Sequence, residues 1–172
     1  GWRSSWSKDF SIISEFWHNN GCSVLYAEQR GQGESGGEYM GFGLTERHDC
    51  VEWVRLMHKR EPELPIYLAG VSMGAATVLM AAGEELPDNV VGVLSDCGYN
   101  SPKEIICKVI REDMKLPAKV LYPFVKLAAR IYGGFDLEKA APIDAMGKCT
   151  LPVFFAHGEA DDYVPHQMTL DN

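Results

Sequence analysis

The stretch that decides the fold is residues 66–82, which read IYLAGVSMGAATVLMAA. Its first four residues form a short apolar run that predicts a buried strand, and its small residues from Ala75 onward predict a helix. Between the two stands Gly70-Val71-Ser72-Met73-Gly74, a G-x-S-x-G pattern. A serine between a strand and a helix must lie on a sharp, strained turn, so its neighbours at positions −2 and +2 must be small. Gly70 and Gly74 meet that requirement.

Elements on either side of this stretch alternate between helix and strand. Apolar residues at helical spacing predict a helix from about Ser5 to His18 and another from about Thr45 to Arg60. Short apolar runs predict three further strands, at residues 22–27, 90–95 and 153–157. Because strands that alternate with helices form parallel sheets covered on both faces, the chain is predicted to be an α/β protein. The aromatic residues of the first helix and Trp53 are expected to belong to the core.

The connection between Asp96 and Pro152 is too long for a simple crossover. The run Ser101-Pro102-Lys103-Glu104 has a capping serine, a proline at the first helical position and a glutamate at the third, so it predicts a helix start. A second helix in this connection is marked by apolar residues at helical spacing, namely Val120, Phe124, Leu127 and Ile131, and ends at Gly133-Gly134. Long connections are usually functional, so we predict that residues 101–133 form a cap over an active site. Plain packing of these helices on the sheet is the alternative.

Composition and charge narrow the function classes. The chain has 172 residues and a net charge of −8, which makes nucleic acid and anionic membrane surfaces poor partners, and no basic cluster is evident in the sequence. The sequence contains no run of 18 apolar residues that could cross a membrane. The five cysteines are odd in number and form no C-x-x-C pair, so reduced, mostly buried thiols in a cytoplasmic protein are expected, without a zinc site.

Three further stretches, read together with residues 70–74, carry a family resemblance. They are Gly1-Trp2-Arg3-Ser4-Ser5, then Arg30-Gly31-Gln32-Gly33-Glu34-Ser35, and residues 157–165, which read HGEADDYVP. In this order they resemble the oxyanion loop, the R-G-x-G-x-S loop and the acid-bearing H-G-x-x-D-x-x-V-P segment of the α/β-hydrolase superfamily. The resemblance covers nearly the whole chain and is to the bacterial capped serine hydrolases of the esterase and prolyl-peptidase type.

The resemblance implies a role in the reaction for four positions. Ser72 would be the nucleophile, and the backbone N–H groups of Met73 and Trp2 would form the oxyanion hole. Asp161 would be the acid of a Ser–Asp–His triad, with Asp96 and Asp162 as alternatives. Two other conspicuous residues are expected to be structural: His157 in the strand-end motif, and Arg30 as a brace of its own loop.

The histidine of the triad is expected downstream of Asn172. In chain order the family runs Ser, acid, His, and the one histidine after Asp161 in this chain is His166, which is not expected to reach Ser72. The chain also begins at Gly1 without a methionine, and the family places a strand before that residue. We therefore interpret residues 1–172 as a partial α/β-hydrolase core, with any upstream signal or anchor left open.

The activity that the resemblance implies is serine-dependent hydrolysis of a carboxylic ester or related acyl bond in a small molecule, without a cofactor or metal. Ester, thioester, amide and lactone substrates all stay open. An acyltransferase with the same triad and a non-catalytic binding protein with the same fold are the alternatives.

Overall fold

The computed structural model describes residues 1–172 and contains one parallel sheet of three strands. The strands are β1 (Ile66–Val71), β2 (Val90–Asp96) and β3 (Val153–Ala156), in the order β1-β2-β3. In their register Ala69 faces Leu94, and Leu94 faces Phe154. The parallel pairing of the three predicted strands is confirmed, so their carboxyl ends lie at the same edge of the sheet.

The chain also contains seven helices. They are α1 (Trp6–Asn19), α2 (Glu46–Arg60), α3 (Met73–Ala82), α4 (Pro102–Lys108), α5 (Ala118–Ala128), α6 (Pro142–Met146) and α7 (Gln167–Asp171). A π-helical turn follows α4 at Val109–Asp113, and another follows α5 at Ala129–Gly133. The predicted start of α4 is confirmed, because the Ser101 hydroxyl accepts the Glu104 N–H at 3.4 Å and Pro102 is the first helical residue. Residues 101–139 are called the insertion below.

Helix α3 lies between two buried apolar clusters. Toward the sheet, Leu79 and Val78 pack with Leu68 and Val93. Toward the insertion, Met73 belongs to a cluster that includes three residues of α4 and α5, namely Ile105, Ile106 and Tyr122. The insertion therefore shares a buried cluster with the first residue of α3, and its predicted helical content is confirmed.

The prediction of a strand at residues 22–27 is wrong. This segment has no regular secondary structure and pairs with none of the three strands. Its Tyr26 ring instead lies 5.2 Å from the Trp6 ring and 6.0 Å from the Phe10 ring of α1. The physical reason is the lack of a neighbour, since the family order puts a further strand between this segment and β1, and residues 1–172 contain no such strand.

The expectation that both faces of the sheet are covered is also wrong for these residues. The face opposite α3 carries exposed aromatic side chains, among them Tyr67 and Phe154. Helix α1 buries none of its residues, and Trp53 of α2 is exposed, so the prediction that these aromatic residues belong to the core is wrong.

All five cysteines are free thiols, but Cys22 is exposed and the other four are half-buried, so the expectation of mostly buried thiols is wrong.

Helix α5 and the π-helical turn after it have the predicted apolar spacing. Their apolar residues at helical spacing face solvent, with exposed fractions of 58% for Val120, 66% for Phe124, 53% for Leu127 and 64% for Ile131. The side of α5 that packs on the core carries the buried Tyr122.

No helix of the chain combines the length and the apolar character that a membrane span needs.

Candidate active site

Ser72 occupies the turn between β1 and α3. Its backbone has φ 55° and ψ −116°, a region that residues with a side chain rarely adopt. The Ser72 N–H donates to the Asp96 carbonyl at 2.8 Å, and the Ser72 carbonyl accepts the Ala76 N–H at 3.0 Å. The predicted strain at the serine is confirmed, and these two bonds hold the turn between the end of β2 and the first turn of α3.

Only one of the two glycines around Ser72 is sterically required. A Cβ atom on Gly70 would lie 2.3 Å from the Gly74 carbonyl oxygen, a distance that no rotation of a side chain could relieve. A Cβ atom on Gly74 would meet nothing within 4 Å. The requirement for a small residue is therefore confirmed at position −2 and wrong at position +2, because the close approach involves the backbone of Gly74 rather than its Cβ position.

Two backbone N–H groups predicted to face the nucleophile are free. Met73 is the first residue of α3, where an N–H group has no acceptor within the helix. Neither the Met73 N–H nor the Trp2 N–H donates to another backbone group of the chain. The segment around Trp2 is held by Asp9, whose carboxylate accepts a hydrogen bond from the Ser4 hydroxyl at 2.5 Å.

Asp161 lies in the loop that follows β3. Its Oδ1 atom accepts the N–H groups of Tyr163 at 2.8 Å and Val164 at 2.9 Å. The carboxylate of the neighbouring Asp162 makes no hydrogen bond, and Asp162 is exposed. The other alternative, Asp96, is also exposed and contacts the nucleophile turn through its carbonyl group. Of the three acids, Asp161 has the one carboxylate whose orientation is fixed by the backbone.

His157 acts as an internal brace of this loop. Its side chain is 1% exposed, its Nε2 atom lies 2.8 Å from the Val164 carbonyl oxygen, and its Nδ1 atom lies 2.6 Å from the Thr169 hydroxyl. Since a carbonyl oxygen only accepts, Nε2 carries the proton in this contact. The structural role predicted for His157 is confirmed by these bonds, and none of them involves Ser72.

His166 stands at the start of α7 and packs its ring edge-on against His157, with the ring centres 5.6 Å apart. It makes no hydrogen bond to Ser72 or Asp161.

Arg30 forms a bidentate salt bridge with Asp49 of α2, with N–O distances of 2.6 Å and 2.5 Å. Its predicted role as a brace of the loop is therefore confirmed.

Lys108 is a residue of this region that the sequence reasoning missed. Its side chain is 4% exposed, and its Nζ donates to the Asp162 carbonyl oxygen at 2.6 Å. Its charge is balanced by Asp113 at 3.3 Å and Glu112 at 3.9 Å, both on the π-helical turn. The signal in the sequence was a lysine three residues after Ile105, on the face of α4 that packs inward.

Cys97 is a second residue that was missed. It follows β2 directly, has a φ of 46°, and its N–H donates to the Ala156 carbonyl at 2.8 Å. Burial and the nearby Asp96 charge raise the pKa of the Cys97 thiol to about 11, while the Ser72 N–H acts in the opposite direction. The thiol therefore stays protonated at neutral pH beside the nucleophile turn.

No three His, Cys, Asp or Glu side chains are placed to hold a metal ion.

Sequence comparison identifies the family. The model of the family described as “Serine aminopeptidase, S33” matches residues 4–134. The chain belongs to this family. The uncharacterized protein YqkD of Bacillus subtilis (strain 168) is 31% identical over 150 residues, which are 87% of this chain and 49% of YqkD. The S33 match includes Ser72 and the insertion as far as Gly134, and it stops before Asp161. The chain spans about half the length of YqkD.

Solved structures with low identity share the fold of this S33 chain. The esterase Pf2001 of Pyrococcus furiosus superposes with a TM-score of 0.75 at 21% identity, over 99% of this chain and 63% of the esterase. Mouse alpha/beta hydrolase domain-containing protein 10 gives 0.63 at 20% identity, over 99% and 71%. The acylaminoacyl peptidase of Pyrococcus horikoshii gives 0.56 at 16% identity, over 83% and 23%. The predicted α/β-hydrolase fold is confirmed.

Proposed function

We propose that the protein is a serine hydrolase that cleaves a carboxylic ester or related acyl bond of a small molecule, with Ser72 as the nucleophile. The observation that carries the proposal is the turn at Ser72, where a strained serine precedes a helix whose first N–H group, that of Met73, has no acceptor. A strained residue needs support from its surroundings, and such support is typical of functional positions. Membership of the S33 family points to the same chemistry.

The reaction follows from these groups. The Ser72 oxygen attacks the acyl carbon while its proton passes to a histidine, and the carbonyl oxygen becomes an oxyanion. The N–H groups of Met73 and Trp2 donate to that oxyanion, and the positive end of the α3 dipole favours its charge. The histidine then protonates the leaving alcohol, which departs from the acyl-enzyme. Water, deprotonated by the same histidine, attacks the acyl carbon and releases the acid and Ser72.

The residues that assist Ser72 are part of the proposal. Asp161 is the acid, because its carboxylate alone among the three candidates is oriented by backbone N–H groups. None of the five histidines of residues 1–172 hydrogen-bonds to Ser72, and the base lies downstream of Asn172 in the order that the family follows. The segment 101–133 is a cap, since α4 packs in the same cluster as Met73 and Lys108 contacts the loop of Asp161.

A fluorophosphonate probe tests the nucleophile directly. In the complete natural protein the probe should label the parent covalently, and Ser72→Ala should abolish both the label and ester turnover, with a loss on the order of 10⁶ in kcat. Ser95→Ala is the matched control, because Ser95 is buried on the adjacent strand and its hydroxyl has no hydrogen-bond partner to lose. Labelling that survives Ser72→Ala would exclude the proposal. Product analysis with added alcohols separates hydrolysis from acyl transfer.

A further inference from the structure

The outward face of α5 and of the π-helical turn that follows it is an apolar stripe with no partner in the chain. Four large side chains compose it, and each is more than half exposed: Val120, Phe124, Leu127 and Ile131. Their spacing of four, three and four residues places them on one side of a helix. An amphipathic helix ordinarily turns such a face inward, so its exposure on the insertion calls for a partner.

The two edges of this outer stripe differ in character. Along one edge the helical positions are basic, namely Lys119, Lys126 and Arg130. Along the other edge Val125 and Tyr132 border a groove of about 460 Å³, and nine of the eleven residues that line it are apolar. Lys126 pairs with both Asp136 and Glu138, and Arg130 pairs with Asp136, so Lys119 is the residue of this edge that has no acidic partner. The stripe thus combines an apolar surface with a basic edge.

The charge of the insertion is opposite to that of the rest of the chain. Residues 101–139 contain eight Lys or Arg and five Asp or Glu, a net charge of +3, whereas all other residues carry eight and nineteen, a net charge of −11. The overall charge of −8 therefore hides a local excess of positive charge around α5. A helix with large apolar residues on one face and basic residues beside them is typical of helices that lie in a lipid–water interface.

We propose that α5 docks its outer stripe on the surface of an anionic phospholipid bilayer. Val120, Phe124, Leu127 and Ile131 insert among the acyl chains just below the headgroups, and Lys119 contacts the lipid phosphates. The other residues of the chain, with their net charge of −11, face away from the negative surface.

Charge complementarity favours the lipid over an antiparallel dimer of the chain. A two-fold dimer that packs two α5 helices antiparallel through the stripe would bring the same basic edge of both copies together, which like charges oppose. An anionic surface neutralises that edge instead. Resting on the proposed function, the docked insertion would let the site around Ser72 take acyl substrates from the bilayer.

The test is sedimentation with vesicles of phosphatidylcholine, with and without phosphatidylglycerol. It uses the complete natural protein carrying Ser72→Ala, so that binding is measured without turnover and a failure of the proposed catalysis does not affect the result. The protein should sediment with the anionic vesicles only, and added salt should release it. Ile131→Ser and Lys119→Glu should each lower the partition coefficient, by about tenfold for the apolar change.

Ile12→Ser is the matched control, because Ile12 on α1 is 95% exposed and lies outside the insertion. It should leave vesicle binding unchanged. The proposal is overturned by absence of binding, by equal binding to neutral vesicles, or by equal loss in the Ile12 variant. It is also overturned if the protein forms a concentration-dependent dimer that Ile131→Ser dissociates, since a second copy would then cover the stripe. Lys119→Glu changes an exposed side chain, so its result stands even if an apolar variant fails to fold.

Discussion

Lys108 Nζ donates to the Asp162 carbonyl oxygen at 2.6 Å and thereby ties α4 to the loop that carries Asp161. The contact is internal, since the Lys108 side chain is 4% exposed while Asp113, which balances its charge, is 40% exposed. A buried ammonium group must keep its hydrogen bonds, because an unpaired one loses its hydration without compensation. The insertion and the acid loop therefore hold one another in place.

Lys108→Met should destabilise the protein by about 2 kcal/mol, because the charge-assisted bond to Asp162 is lost and that carbonyl stays partly buried. In the proposed enzyme the change should also lower kcat by roughly tenfold or more, since a displacement of Asp161 misorients the triad. Lys103→Met is the control, because Lys103 lies on the same helix as Lys108 but forms an exposed pair with Glu138, and its loss should cost less than about 1 kcal/mol. Equal melting temperatures for the two variants would contradict this account of Lys108.

The glycines around Ser72 should respond differently to the same substitution. Gly70→Ala places a methyl group 2.3 Å from the Gly74 carbonyl oxygen, and relief requires a backbone shift, so we expect a loss of about 3 kcal/mol or a failure to fold. Gly74→Ala meets nothing and lies in a helix, so it should be neutral or stabilise by up to about 1 kcal/mol. Urea unfolding followed by circular dichroism measures both, and comparable losses would show that the turn is packed differently.

The turn at Ser72 could be predicted from the sequence because its determinants are local. A strand, two glycines and a helix of small residues lie within residues 66–82, and the geometry follows from their order. The segment 22–27 has equally strong strand character, but a strand needs a neighbour. Its failure to pair depends on which strands lie beside β1, and the residues of a segment do not indicate which strands will be its neighbours.

The orientation of α5 shows the same limit. Spacing defines which side chains share a face, as it did for Phe124 and Ile131, but it does not say which side of the helix meets the core. Here Tyr122, on the opposite side, packs in the cluster with Ile105 and Met73. Lys108 was missed for a related reason, because the carbonyl that it satisfies lies 54 residues away in the chain.

The three candidate acids can be separated by amide substitution in the complete protein. Asp161→Asn should lower kcat by about 10⁴ if Asp161 orients the base, because the amide favours the wrong tautomer of the histidine. Asp162→Asn is the matched control at the next position and should change kcat little, since its carboxylate makes no hydrogen bond. A larger loss in Asp162→Asn or Asp96→Asn than in Asp161→Asn would transfer the role to that residue.

Stability at alkaline pH should depend on Cys50. Burial, with a smaller contribution from Asp49, raises the pKa of this thiol from 9.0 to about 11. Between these values the unfolded chain loses the proton while the folded chain keeps it, so the stabilisation is complete below pH 9 and is lost as the pH rises toward 11. Cys50→Ala should reduce the fall in urea midpoint across this range, and Cys22→Ala, which removes an exposed thiol, should not. Identical falls in both variants would contradict the assignment.

The strain at Ser72 should be measurable apart from catalysis. Alanine and glycine both remove the hydroxyl, but only glycine adopts a φ of 55° without cost, so Ser72→Gly relieves about 1–3 kcal/mol of strain that Ser72→Ala retains. Glycine also gains more entropy on unfolding, by roughly 0.5–1 kcal/mol, which leaves the glycine variant about 1 kcal/mol more stable than the alanine variant. At Ser95, where φ is not positive, the order should reverse. Urea unfolding of the four variants gives the comparison, and a Ser72→Ala protein more stable than Ser72→Gly would show that the nucleophile turn is relaxed rather than strained.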